Sequence, residues 1–189
     1  PRTDRWPVAR LRRPDAFGAG QDLVQALARE PAVAFVAGES GRGGLELVSS
    51  DGSAEIFRTG SRVIYRPRTG DPLRIGATRV ATPDEWLAYG ALDPYPDAAV
   101  QLLDQFQASR TGDLVVAAAE GFDLRERFEA PKHRAGHGSA VRSHMQIPLW
   151  SSEPLPASPL RSLDVFPALL DWLGEPIPAG IDARQVWLP

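Results

Sequence analysis

Cysteine is missing from this chain, so disulfides, thiolate nucleophiles and cysteine-ligated zinc are excluded. Lysine is nearly missing too: Lys132 is the single lysine among 21 basic residues. That arginine bias reads as a genome-composition effect and not as an arginine-built binding surface. No apolar run approaches the roughly 20 residues needed to cross a bilayer, and no signal sequence opens the chain. A net charge of -3 supplies no basic field for nucleic acid or for an anionic membrane, so neither is expected as a partner. The lack of cysteine does not separate a bacterial cytoplasm from a periplasm. The chain opens on Pro1-Arg2-Thr3 without a methionine, which reads as a processed protein or an excised piece of a longer one.

What is present is 189 residues, 43% of them apolar, enough for one well-buried domain or for a core with a smaller appendage. All three histidines, His133, His137 and His144, fall between Lys132 and Pro148. Neutral imidazole is the commonest metal ligand. His133 and His137 are four apart, a spacing that shares one face of a helix. Gly136 and Gly138 bracket His137, however, and argue for an irregular loop in which ring and backbone come close to an ion or ligand. A surface loop that merely holds the histidines is the competing reading. Ser139 beside His137 lacks a nucleophile-elbow glycine pattern and an orienting acid, so a serine–histidine nucleophile is not expected.

The first 18 residues read as irregular lead-in. Residues 21–30 carry helical spacing, stopped by Pro31. Residues 32–37, 45–49, 54–57 and 62–65 read as strands, with Asp51-Gly52 as a hairpin signal and Thr69-Gly70-Asp71-Pro72 as a turn. The glycine cluster at 38, 41, 43 and 44 is too irregular for a phosphate-binding fingerprint and reads as a turn. Thr82-Pro83-Asp84-Glu85 sets an N-cap, a first-turn proline and a capping-box glutamate ahead of a helix to about Tyr89. A second helix is expected over 96–108. The apolar run 114–119 suits a strand buried on both faces of an α/β sheet. Another buried strand is expected over 145–150, and a last helix over 162–173, capped by Ser162 and closed by Gly174. Trp86, Trp150 and Trp172 sit among apolar positions and are assigned to core. Asp113 and Asp123 border one strand, where caps and loop hydrogen bonds explain such aspartates; Arg161 reads as structural.

Several of these pieces occur in a familiar order. Gly112-Asp113-Leu114 opens a strand; Gly136-His137-Gly138-Ser139, His144-Met145 and Pro148-Leu149 follow. Then come Arg161-Ser162-Leu163-Asp164 through Leu170, and Leu173-Gly174-Glu175-Pro176 through Asp182. Over 112–184 the chain resembles the carboxy-terminal part of the alkaline phosphatase superfamily, in its type I phosphodiesterase and nucleotide pyrophosphatase branch. The hairpin-rich part and Gly70-Asp71-Pro72-Leu73 resemble, more loosely, the insert carried before that segment. The resemblance implies an α/β fold: residues 112–189 as the C-terminal part of a doubly wound sheet, with residues 1–111 as a hairpin-rich α+β insert.

It also implies a phosphate-ester small molecule as substrate and a two-metal site, zinc or another divalent ion, with His137 as a metal ligand. His133, His144 and Ser139 are then candidates for contacts to substrate or to the metal ligands. The pattern is incomplete. The early Asp, the nucleophilic Thr or Ser, the Asp-x-x-x-His and the Asp-His-Gly of such enzymes do not occur here, and Asp182-Ala183-Arg184 replaces Asp-Gly-Arg. The expected function is therefore the C-terminal portion of a metal-dependent phosphodiester or pyrophosphate hydrolase. It contributes one metal ligand and no catalytic residue, and is inactive without an upstream segment of the same protein. The alternatives are a non-catalytic binding or scaffolding domain, and a self-contained mononuclear site of His133, His137 and an aspartate. A part-sheet leaves a strand edge unfinished, so either a homodimer or coverage by the hairpin subdomain is expected.

Overall fold

The computed structural model describes residues 6–12, 22–124, 138–152, 154–156, 159–181 and 183–184. They form two compact units, 1–146 and 147–189. The expected boundary at 111/112 thus falls inside the first unit.

The first unit is mixed α/β. Two short helices, α1 (Val8–Leu11) and α2 (Leu23–Arg29), lead into β1 (Val33–Glu39), β2 (Leu45–Ser49), β3 (Gly52–Thr59), β4 (Arg62–Gly70) and β5 (Arg79–Ala81). Helices α3 (Pro83–Gly90) and α4 (Ala98–Gln107) follow, then β6 (Leu114–Ala118) and the single turn α5 (Arg142–Met145). The six strands make one sheet in the order β5-β4-β3-β2-β1-β6, and every pairing in it is antiparallel.

Strand alternation sorts the core into two clusters, because successive side chains leave opposite faces of a sheet. Val33, Val36 and Val48 pack with Val8, Leu11, Val24 and Ala28 of the two first helices. Phe35, Ala37, Leu47, Ile56, Val63 and Tyr65 pack with Trp86 and with Val100, Leu103 and Phe106 of α4. Trp86 is buried with its indole N–H donating to the Val63 carbonyl at 2.9 Å, so its polar atom is satisfied. The capping box of α3 forms as the sequence predicts: the Glu85 amide donates to Thr82 Oγ1 and the Thr82 amide to Glu85 Oε2. Helix α4 starts at Ala98, after Pro94 and Pro96 and a left-handed, buried Asp97 (φ 57°).

The Asp51-Gly52 hairpin forms, and its glycine is required on two counts. Ser49 pairs with Gly52, so Ser50 and Asp51 make the loop and Gly52 begins β3. A Cβ there would lie 1.8 Å from the Thr69 carbonyl oxygen of β4. Close approach of the next strand and a backbone φ of 130° both demand glycine. Thr69 and Gly70 extend β4, and the turn begins at Asp71.

Two strand expectations are corrected. The run at 114–119 does form a strand, but it joins the hairpin sheet antiparallel to β1 and is half-buried along its length. Among the described residues it ends the sheet, with β1 as its one strand neighbour; β1, inside the sheet, is covered on both faces. Residues 145–150 are not a strand. Val141 accepts the His144 and Met145 amides and closes the turn of α5, after which residues 146–150 run irregular and exposed.

The second unit is described chiefly by a 3-10 turn (Ser162–Asp164) running into α6 (Val165–Trp172). Ser162 does not cap this helix; the Arg161 amide donates to Asp164 Oδ2 at 2.8 Å instead. Gly174 (φ 71°) closes it as the sequence predicts. The Gly174 amide reaches the Asp171 carbonyl and the Glu175 amide the Leu170 carbonyl, a Schellman arrangement. Trp150 is 83% exposed and Trp172 44%, so of the three tryptophans assigned to core only Trp86 is there.

Candidate functional site

Of the histidine loop, residues 138–148 are among those described. His133 and His137 lie outside the described residues, as does Lys132. Ser139 and His144, five residues apart, are brought together: the Ser139 amide donates to His144 Nδ1 at 3.1 Å, and its hydroxyl lies 3.3 Å from the same nitrogen. An amide N–H needs an unprotonated acceptor, so neutral His144 carries its proton on Nε2. Gly138 permits this contact, because a Cβ on it would sit 3.0 Å from His144 Cβ.

The turn bearing His144 is itself stapled down. The Arg142 amide donates to the Pro94 carbonyl at 2.9 Å and its guanidinium to the Leu92 carbonyl at 2.6 Å. The Gln146 side-chain amide reaches the Ala91 carbonyl at 2.6 Å, and the Ser143 hydroxyl reaches Glu120 at 2.8 Å. Val141, just before the turn, is buried in the core beneath α4. Sequence reasoning missed Arg142 and Gln146, which look like ordinary surface residues until their carbonyl partners are placed.

Beside this turn opens a cleft of about 950 Å³. It is lined by Val115–Ala118 of β6, by Gln101, Leu102 and Gln105 of α4, by residues 121–124 and by Ser139 and His144. Asp123 therefore faces the cleft. Asp113 does not: its Oδ1 accepts the Trp6 amide at 3.1 Å and ties the chain before α1 to the start of β6. Among the described residues no group of three or more His, Asp or Glu side chains is placed to hold a metal. With Nδ1 engaged and Nε2 protonated, His144 in this form presents no lone pair to a cation.

A second polar centre lies in the 147–189 unit. Asp164 is 1% exposed and accepts from the Arg161 amide, the Arg184 amide at 3.0 Å and the Arg184 guanidinium, whose Nη2 also reaches the Pro159 carbonyl at 2.9 Å. Burial pushes this carboxyl upward, but the Arg184 side chain and the two amides outweigh it and hold it below the ordinary carboxylate range. The ends of the 161–184 motif series are thus joined in space.

Compared with protein-family models, with curated proteins and with solved structures, the chain matches none of them. No helix among the described residues is long and apolar enough to cross a membrane.

Proposed function

We propose that the chain is the C-terminal portion of a metal-dependent phosphoester hydrolase, contributing His137 as one ligand of a zinc or other divalent-metal site. The nucleophile and the remaining ligands come from an upstream segment, and the doubly wound sheet belongs to the intact protein. One observation supports this reading: within each unit, pieces of the pattern that are apart in sequence meet in space. Gly138-Ser139 is bonded to His144 beside an open cleft, and Asp164 to Arg184 in the second unit.

His137 would hold a divalent cation there, which would supply Lewis-acid stabilisation of charge on a phosphate ester. What this chain supplies around that cation is positional. His144 fixes the exit of the histidine loop, and its Nε2–H remains a donor. The Ser139 hydroxyl remains a second polar group at the cleft wall.

The test is a calorimetric zinc titration of the chain and of His137→Ala, with a phosphodiester assay on both. The reading expects weak or absent zinc binding and no turnover until the upstream segment is supplied. Tight one-to-one binding that His137→Ala abolishes, accompanied by turnover of the chain alone, would mean a complete site and overturn it.

A further inference from the structure

The two ends of the sheet are finished differently. At one end β5 is three residues long and carries Arg79, whose guanidinium pairs with Asp93. Short, charged edges resist pairing with another strand. At the other end β6 is five residues, Leu114-Val115-Val116-Ala117-Ala118, with no charge and no proline. The Ala119 amide donates inward to the Ala32 carbonyl at 2.8 Å. Backbone groups alternate in direction along a strand, so those of Leu114, Val116 and Ala118 face away from β1. Residues 115–118 of β6 also line the cleft of about 950 Å³.

We infer that this edge is an interface for a second copy of the chain, joined by antiparallel pairing of β6 with β6 about a two-fold axis at Val116. The inference does not rest on the hydrolase reading. The charge pattern selects this partner and register. With Val116 opposite Val116, Leu114 stands opposite Ala118, a large residue against a small one. The flanking acids are kept apart: Asp113 meets Ala119, and Glu120 meets Gly112. Like charges directly opposite would destabilise the pair, and here none are. The interface is isologous, so both outward rows of amides and carbonyls are satisfied at once.

The chain has no cysteine, which makes a direct test available. Sedimentation of the full chain across a concentration series is expected to show a monomer–dimer equilibrium. Under mild oxidation, Val116→Cys is expected to form a disulfide-linked dimer about tenfold faster than Val80→Cys on the β5 edge, because pairing raises the local thiol concentration. Ala118→Pro removes one outward amide without touching the ladder to β1 and is expected to weaken the dimer about tenfold. Hydrogen exchange at Val116 and Ala118 of the unmodified chain is expected to slow with concentration, and this decides the matter even if Ala118→Pro misfolds. A monomer at all concentrations overturns the inference. So does a dimer whose β6 amides stay unprotected and whose Val116→Cys variant fails to cross-link, since that dimer uses another surface. Protection of those amides at every concentration in a monomer would mean that another segment of the chain occupies the edge, and also overturns it.

Discussion

A single hydroxyl organises the turn that follows β4. Tyr65 is fully buried; its phenol donates to Asp71 Oδ1 and accepts the Leu73 amide at 3.1 Å, while Asp71 Oδ2 takes the Gly76 amide. Burial first, and Asp71 next, push the phenol above its ordinary range, so it stays protonated and donating at any physiological pH. Tyr65→Phe keeps the ring packing but leaves a buried amide and a carboxylate oxygen unmatched. Urea denaturation is expected to show a loss of about 1–3 kcal/mol; a loss indistinguishable from zero would mean that water replaces the hydroxyl. The Gly-Asp-Pro-Leu turn was legible as a turn, but not its dependence on Tyr65, because the aromatic lies six residues away on a strand. Gly38 poses the same kind of problem. It read as part of a glycine-rich turn, yet it sits in β1, where a Cβ would come within 2.6 Å of Val8 and 2.8 Å of Leu114. Only the neighbours reveal why it is glycine.

Among the elements, α6 shows most plainly how a local signal and a distant contact divide the work. Its stop at Gly174 was readable, since a left-handed residue after a helix favours glycine. Its start was not, because Asp164 is claimed by Arg184, 20 residues downstream. Arg184→Ala leaves a buried carboxylate without its partner, and thermal unfolding is expected to show a loss of about 3 kcal/mol at neutral pH. The carboxyl is held below its unfolded value, so this stabilisation is fully present above the unfolded carboxylate range and disappears as pH falls through the depressed value. The gap between Arg184→Ala and the unmodified chain should therefore close on acidification. A gap that persists unchanged into strong acid would show that Arg184 acts by packing and not by its charge.

At the scale of the whole molecule, the notable property is apolar surface. Leu163, Phe166, Leu169 and Leu173 around α6, with Ile147 and Trp150 before it, are each 46–83% exposed. Large apolar side chains exposed in this number favour cover by another surface. A hydrophobic dye is expected to fluoresce with the folded chain, and iodide to quench Trp150 while sparing Trp86. Absence of dye binding with a cooperative melt would count against an incomplete molecule.

What the sequence determined by itself was local: the hairpin, the capping box of α3, the helix stop at Gly174, the strand at 114–118 and the grouping of the histidines. Each depends on dihedral preference, hydrogen bonding or hydrophobic period within a few residues, and those act along the chain. Tertiary structure alone decided that β6 belongs to the hairpin sheet and pairs antiparallel with β1. It also decided that 146–150 lacks a strand partner among the described residues, that Ser139 leans on His144, and that Asp164 answers to Arg184. These depend on which distant groups meet and which remain open to water, and no period or motif along the chain encodes such a meeting.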